Sequence, residues 1–161
     1  MTPAATSPFD SEAGFRLAVD AAVLAAAGRI CVFDRDLAKL RFEERQRVAA
    51  LRSFVCAKRD HRIRIAVQDT RHIERKAPRL LELLRLFGHA IEVRRTPEEL
   101  DHLSDCQVLS ENGFAVVRFH VDQPRGKFIA ADPTTVAALL DRFGEIWATA
   151  EPCALTGTLG L

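Results

Sequence analysis

The segment Arg118-Phe-His-Val-Asp-Gln-Pro-Arg-Gly126 concentrates more chemically able side chains than any other stretch of the chain. On an extended backbone Arg118, His120 and Asp122 lie two residues apart and point the same way. A histidine beside a carboxylate can hold and orient a proton, and Arg118 and Arg125 on either side could hold an anion next to it. Two readings follow. One is an anion site, catalytic only if a nucleophile accompanied the pair, and none is attached. The other is a hydrogen-bonded strand end that leads into a Pro-Arg-Gly turn.

Asp69 is the second candidate. It closes the run Arg62-Ile-Arg-Ile-Ala-Val-Gln-Asp69, whose alternation up to Val67 predicts a strand, and open α/β sheets place ligand crevices at such strand ends. Its other reading is a cap for the following loop. The remaining histidines, His61, His72, His89 and His102, have no metal-site spacing. Cys31, Cys56, Cys106 and Cys153 lie far apart without a Cys-x-x-Cys, so no metal and no cofactor are expected. Apolar neighbours, as in Ile30-Cys-Val-Phe33, make the cysteines read as reduced thiols of a cytoplasmic protein.

Charge is uneven, although the total is only +1. From Lys58 to Arg95 eleven Lys or Arg stand against five Asp or Glu, a local +6 that leaves −5 for the remainder. Such a half could bind phosphates or nucleic acid, or its charges could simply spread over solvated faces. There is no Tyr, and the ten Phe mostly sit at core spacing, which argues against a stacking platform for single strands.

These residues need a scaffold. A chain of 161 residues suits one domain and can bury ~70% of its unfolded surface. Residues 1–11 lack a basic n-region and a long apolar core, and read as a disordered tail rather than a signal peptide. The Ala-rich run from Ala18 to Ala27 is too short to cross a bilayer and is interrupted by Asp20. Apolar spacing predicts helices over about Glu12–Ala27 and Glu43–Lys58, and a third beginning at Pro78 and ending at Gly88. Ile30–Phe33, Arg62–Val67 and Ile91–Val93 read as strands. Thr96-Pro97-Glu98-Glu99 should open a short helix. Cys106–Leu109 and Phe114–Phe119 flank Asn112-Gly113, a strong hairpin signal, and Asp132-Pro133 opens the last helix. Alternating strands and helices predict one α/β domain over 12–152, with a mostly parallel sheet, helices on both faces and a C-terminal hairpin. Residues 153–161 are left as a tail.

This order, with the closing helix Phe143-Gly-Glu-Ile-Trp147, resembles one half of the phospholipase D-like superfamily. The resemblance implies a three-layer sandwich and a His-x-Lys-x4-Asp motif on the strand entering the hairpin. Asp105, Gln107 and Asn112 stand at those three positions. In the superfamily the histidine attacks phosphorus, the lysine clamps phosphate oxygens and the aspartate supports the histidine. A carboxylate at position 105 would repel a phosphodiester, and Gln107 has no charge to offset it. The segments Arg62–Asp69, Pro78–Arg85 and Arg118–Gly126 also resemble a bacterial family of unknown function with this fold and without the motif, sometimes fused to an acetyltransferase domain.

The expected function is therefore a non-catalytic accessory or binding module for an anionic ligand or a protein partner. Its site would use Arg118, His120, Asp122, Arg125 and Asp69. One alternative is a phosphodiesterase or nuclease that works through His120, and another is nucleic-acid binding through residues 58–95. Because active superfamily members pair two such halves, a homodimer is expected. An acetyltransferase is a possible partner, and no membrane span is foreseen.

Overall fold

The computed structural model describes residues 3–155. Ser11 caps the first helix by accepting a hydrogen bond from the Gly14 N–H, and α1 (Glu12–Ala25) turns Phe15, Val19 and Val23 inward. It leads through Gly28 into β2 (Arg29–Asp34), after which α2 (Arg45–Ala57), β3 (Arg62–Val67), α3 (Arg71–Lys76), α4 (Pro78–Leu86) and β4 (Ile91–Arg95) follow. β2, β3 and β4 are parallel neighbours, as helical crossovers require. A 3-10 turn at Glu98–Leu100 then replaces the expected short helix. Beyond it come β5 (Cys106–Ser110), β6 (Ala115–His120), β7 (Gln123–Ala130) and α5 (Pro133–Thr149), whose first turn is capped by Asp132.

Two short strands lie outside the sequence expectation, β1 (Ala5–Phe9) and β8 (Glu151–Pro152). All eight join one sheet in the order β1-β7-β6-β5-β2-β3-β4-β8. The sheet is mixed and mostly antiparallel, which corrects the mostly parallel expectation. Among the described residues only the β2–β3–β4 trio is parallel, because residues 96–105 are too few for a crossover of the usual dozen or more and the later strands are joined as hairpins. β5 accordingly enters beside β2 in the opposite direction.

Residues 5–9 are likewise a strand rather than a loose tail. β1 pairs antiparallel with β7, from Ala5 opposite Ala130 to Phe9 opposite Gly126. Most of its side chains are exposed, so ladder hydrogen bonds hold it and no apolar pattern betrays it. Pro124-Arg125-Gly126, expected as a turn, lies inside β7. Of the expected C-terminal tail, residues 156–161 lie outside the described residues, while Cys153 pairs through its N–H with the Val93 carbonyl.

Helices cover both faces. On one, α1, α2, α3 and α4 bury Phe15, Leu51, Ile73 and Leu80 against Val32, Ile65 and Val108. On the other, α5 lays Val136, Phe143 and Trp147 over Phe33, Ala66 and Leu109. All four thiols are free, with Cys31 and Cys106 buried and Cys56 exposed. No helix among the described residues is long and apolar enough to cross a membrane.

Candidate functional site

The three positions of the expected motif are not together. Asp105 and Asn112 flank β5 at its opposite ends. Asp105 is clamped by Arg142 of α5, whose two terminal nitrogens donate to the carboxylate at 2.9 and 3.0 Å. Gln107 is buried in the middle of the sheet, opposite Phe33 on one side and Val117 on the other. Asn112 ties the hairpin to the end of α1. Its Nδ2 donates to the Ala25 carbonyl at 2.8 Å, and its Oδ1 accepts from the Ala27 N–H at 3.1 Å and the Ser110 hydroxyl at 2.6 Å. The side chains of Asp105 and Asn112 are thus engaged in holding elements together.

Arg118 and His120 part company. A register irregularity between them breaks the two-residue alternation that put them on one side. Arg118 is fully buried against α1, where it meets Glu12 at 2.7 and 3.2 Å, donates to the Val121 carbonyl at 2.8 Å and lies 4.7 Å over the Phe15 ring. Hydrogen bonding to this guanidinium holds the Glu12 carboxyl below the usual range. His120 is half-exposed, and its Nδ1 accepts from the Asp122 N–H at 3.1 Å. Arg125 is exposed and makes no ion pair among the described residues.

Asp122 leads elsewhere. Arg35, the first residue after β2, donates to both of its oxygens at 3.1 and 3.4 Å and holds its carboxyl below the usual range. Arg35 also lines a cleft of about 450 Å³ at the carboxyl ends of the parallel strands, with Asp69, Arg71, Arg95 and Asp101. Strand ends of open α/β sheets are where ligand crevices form, because adjacent connections diverge there. Gln68 builds the wall: its Nε2 donates to the Leu100 and Leu103 carbonyls at 3.0 and 2.7 Å and fixes the 3-10 turn against β3. Hydrogen bonds from Arg71, at 2.6 to 3.1 Å, lower the Asp69 carboxyl to about 2. Arg95, the last residue of β4, has no carboxylate within ion-pairing distance among the described residues.

The structure thus brings Asp69, Asp122 and His120 toward one edge through Arg35, and leaves Arg118 and Arg125 apart. Sequence reasoning missed Arg35 and named Arg71 and Arg95 only as members of the basic run 58–95. Their shared signal was position, each standing at or just beyond the carboxyl end of a parallel strand. A cleft with three guanidiniums, one of them unpaired, can hold a small carboxylate or phosphate. No three His, Cys, Asp or Glu side chains among the described residues are grouped as a metal site needs.

Behind the cleft, Asp34 ends β2 with 1% of its surface exposed. One oxygen accepts from the Leu37 N–H at 2.8 Å and steadies that residue at φ 71, while the other has no hydrogen-bond partner. Burial pushes its carboxyl up, against the pull of the Leu37 N–H. Burial beside this carboxyl also pushes up the Cys106 thiol, which keeps it a poor nucleophile.

One mixed sheet with helices on both faces, closed by the β5–β6 hairpin and α5, is the phospholipase D-like fold. The chain aligns over 94% of its length and 99% of the other with Nuc, a phospholipase D family member from Salmonella typhimurium, at 15% identity and a TM-score of 0.65. NucT from Helicobacter pylori aligns over 94% and 100%, at 10% identity and 0.63. The archaeal chromatin protein TrmBL2 aligns over 92% of this chain, at 14% identity and 0.67, and the chain spans only 53% of it. At these identities the likeness shows the fold alone. No curated protein matches the sequence. Residues 12–157 match the family described as Domain of unknown function (DUF7931), and the chain belongs to that family.

Proposed function

We propose that the protein is a non-catalytic phospholipase D-like module that binds an anionic ligand in the cleft of Arg35, Arg71 and Arg95. The observation that carries this reading is the convergence of three guanidiniums on one strand-end cleft. The absence of the histidine and lysine from positions 105 and 107 supports the non-catalytic part. Titration calorimetry with inorganic phosphate should give saturable heat that Arg95→Gln reduces at least fivefold in affinity. Equal affinity in wild type and variant would remove the cleft as the site.

A catalytic reading rests on His120, whose Nδ1 is held by the Asp122 N–H, so that its other ring nitrogen is the one available to a substrate. Wild type and His120→Ala are compared on bis-p-nitrophenyl phosphate and on DNA. Turnover lost in the variant supports catalysis, and absence of wild-type turnover removes it. Nucleic-acid binding by residues 58–95 is supported by their excess charge and by the DNA binding of TrmBL2, which shares the fold. Against it, these cations are dispersed: Arg64 and Arg94 lie over Trp147, Arg71 is in the cleft, and Arg85 pairs with Glu82. DNA retention that falls steeply with salt would favour it.

We read the module as cytoplasmic, accessory and homodimeric. Light scattering that gives only monomer at high concentration removes the dimer. An acetyltransferase gene beside this one would support the accessory role, and its absence would count against it.

A further inference from the structure

We propose that the groove between α2 and α4 receives an acidic amphipathic helix of a partner protein. The groove has a volume of about 430 Å³ and shares no lining residue with the strand-end cleft. Its floor is Val48, Ala49 and Pro78, carbon surface that the protein leaves open to solvent. Arg45 and Arg52 stand along one wall, and Arg79 stands on the other.

These cations are uncommitted. Arg52 lies 5.6 Å over the Phe87 ring, and Arg79 reaches only the Glu43 carbonyl, at 3.5 Å. None of the three has a carboxylate within ion-pairing distance among the described residues. Glu82, the one acid in the groove, is spoken for by Arg85 at 2.7 and 3.0 Å. An apolar floor with a cationic rim is complementary to a helix that carries aliphatic residues on one stripe and acids beside it. The spacing agrees, because Arg45 and Arg52 are seven residues apart on one helix, which places them ~10 Å apart along its axis. Acids at i and i+7 of an incoming helix repeat that distance. A nucleic acid would use the arginines but has nothing aliphatic to lay on Val48 and Ala49, so the observations favour a peptide.

The test uses a fluorescein-labelled 18-residue peptide with leucines at helical spacing and glutamates flanking that stripe. Its controls are a scrambled peptide of the same composition and a labelled DNA duplex. Fluorescence anisotropy should show saturable binding of the amphipathic peptide, at least tenfold tighter than the scramble. The double variant Arg45→Glu/Arg52→Glu and, separately, Ala49→Lys should each weaken it at least tenfold, while Arg95→Gln in the strand-end cleft leaves it unchanged. Circular dichroism confirms that each variant is folded, as expected for exposed positions. The proposal is overturned if the peptide does not bind, if the scramble binds equally, if the charge-reversed variant binds as well as wild type, or if the DNA displaces the peptide from the same arginines.

Discussion

Replacing Gly126 with alanine is expected to destabilise the protein by about 3 kcal/mol or more, read as a large fall in the midpoint of urea unfolding. Gly126 lies in β7 between Arg118 of β6 and Phe9 of β1, where three backbones pass closely. A Cβ there would fall on the Val117 carbonyl oxygen, and would lie 2.6 Å from the Phe9 ring and 2.9 Å from the Arg118 Cα. Two of these obstacles are backbone of the neighbouring strand, so relief requires the β6–β7 ladder to open. That movement would also disturb the seat of Arg118 and the attachment of β1. Gly144, on α5, is the internal control, because a Cβ built there meets nothing within 4 Å. Gly144→Ala should instead stabilise by about 0.5–1 kcal/mol, through helix propensity. A Gly126→Ala midpoint close to that of wild type would refute the close-approach argument.

Asp34→Asn is expected to gain stability over wild type as the pH rises to neutrality, by roughly 1–3 kcal/mol, since the amide has no ionised form for burial to disfavour, while its Nδ2 takes the place of the oxygen that lacked a partner. The carboxamide keeps an oxygen for the Leu37 N–H, so the turn is preserved. The sign with pH follows from the raised carboxyl. Stability that depends on the neutral acid is fully present below the ordinary value of about 4, and is lost as the pH climbs through the folded value. The amide has no such proton. The gap between variant and wild type should therefore be smallest in acid and widen toward neutrality. A gap that is constant with pH, or a variant less stable at pH 7, would show that the Asp34 carboxylate is stabilised by groups other than those named.

Legibility in the sequence depended on what holds each element. α1 and α5 are amphipathic with capping residues at their starts, Ser11 and Asp132, and both were readable to within two or three residues. The Asn112-Gly113 hairpin was equally plain, with Gly113 at φ 95. β1 and β7 were not, because exposure and ladder bonding leave no periodic trace, and Pro124 and Gly126 resemble a turn. The direction of β5 was decided by connection length, which the alternation of elements conceals. Asp69 was named because a strand end is a strong positional cue, and it lines the strand-end cleft. Arg118 was misplaced because period-two reasoning assumes an unbroken ladder. Arg35 drew no notice and Arg95 was counted only in the basic run 58–95, since lone arginines beside strands are common and only the topology shows that these two are neighbours.

The pairing of Ala5 with Ala130 has a consequence for biosynthesis. β1 is made before the other strands of this sheet and is among the last of them to find its place, for its partner emerges more than a hundred residues later. Until then it travels as an open edge. Its composition fits that wait: four of the five residues of Ala-Thr-Ser-Pro-Phe are small, and Pro8 removes a backbone donor that a stray strand could use. The segment that closes the sheet at one end is thus built to stay unattached without harm while the rest of the domain is made.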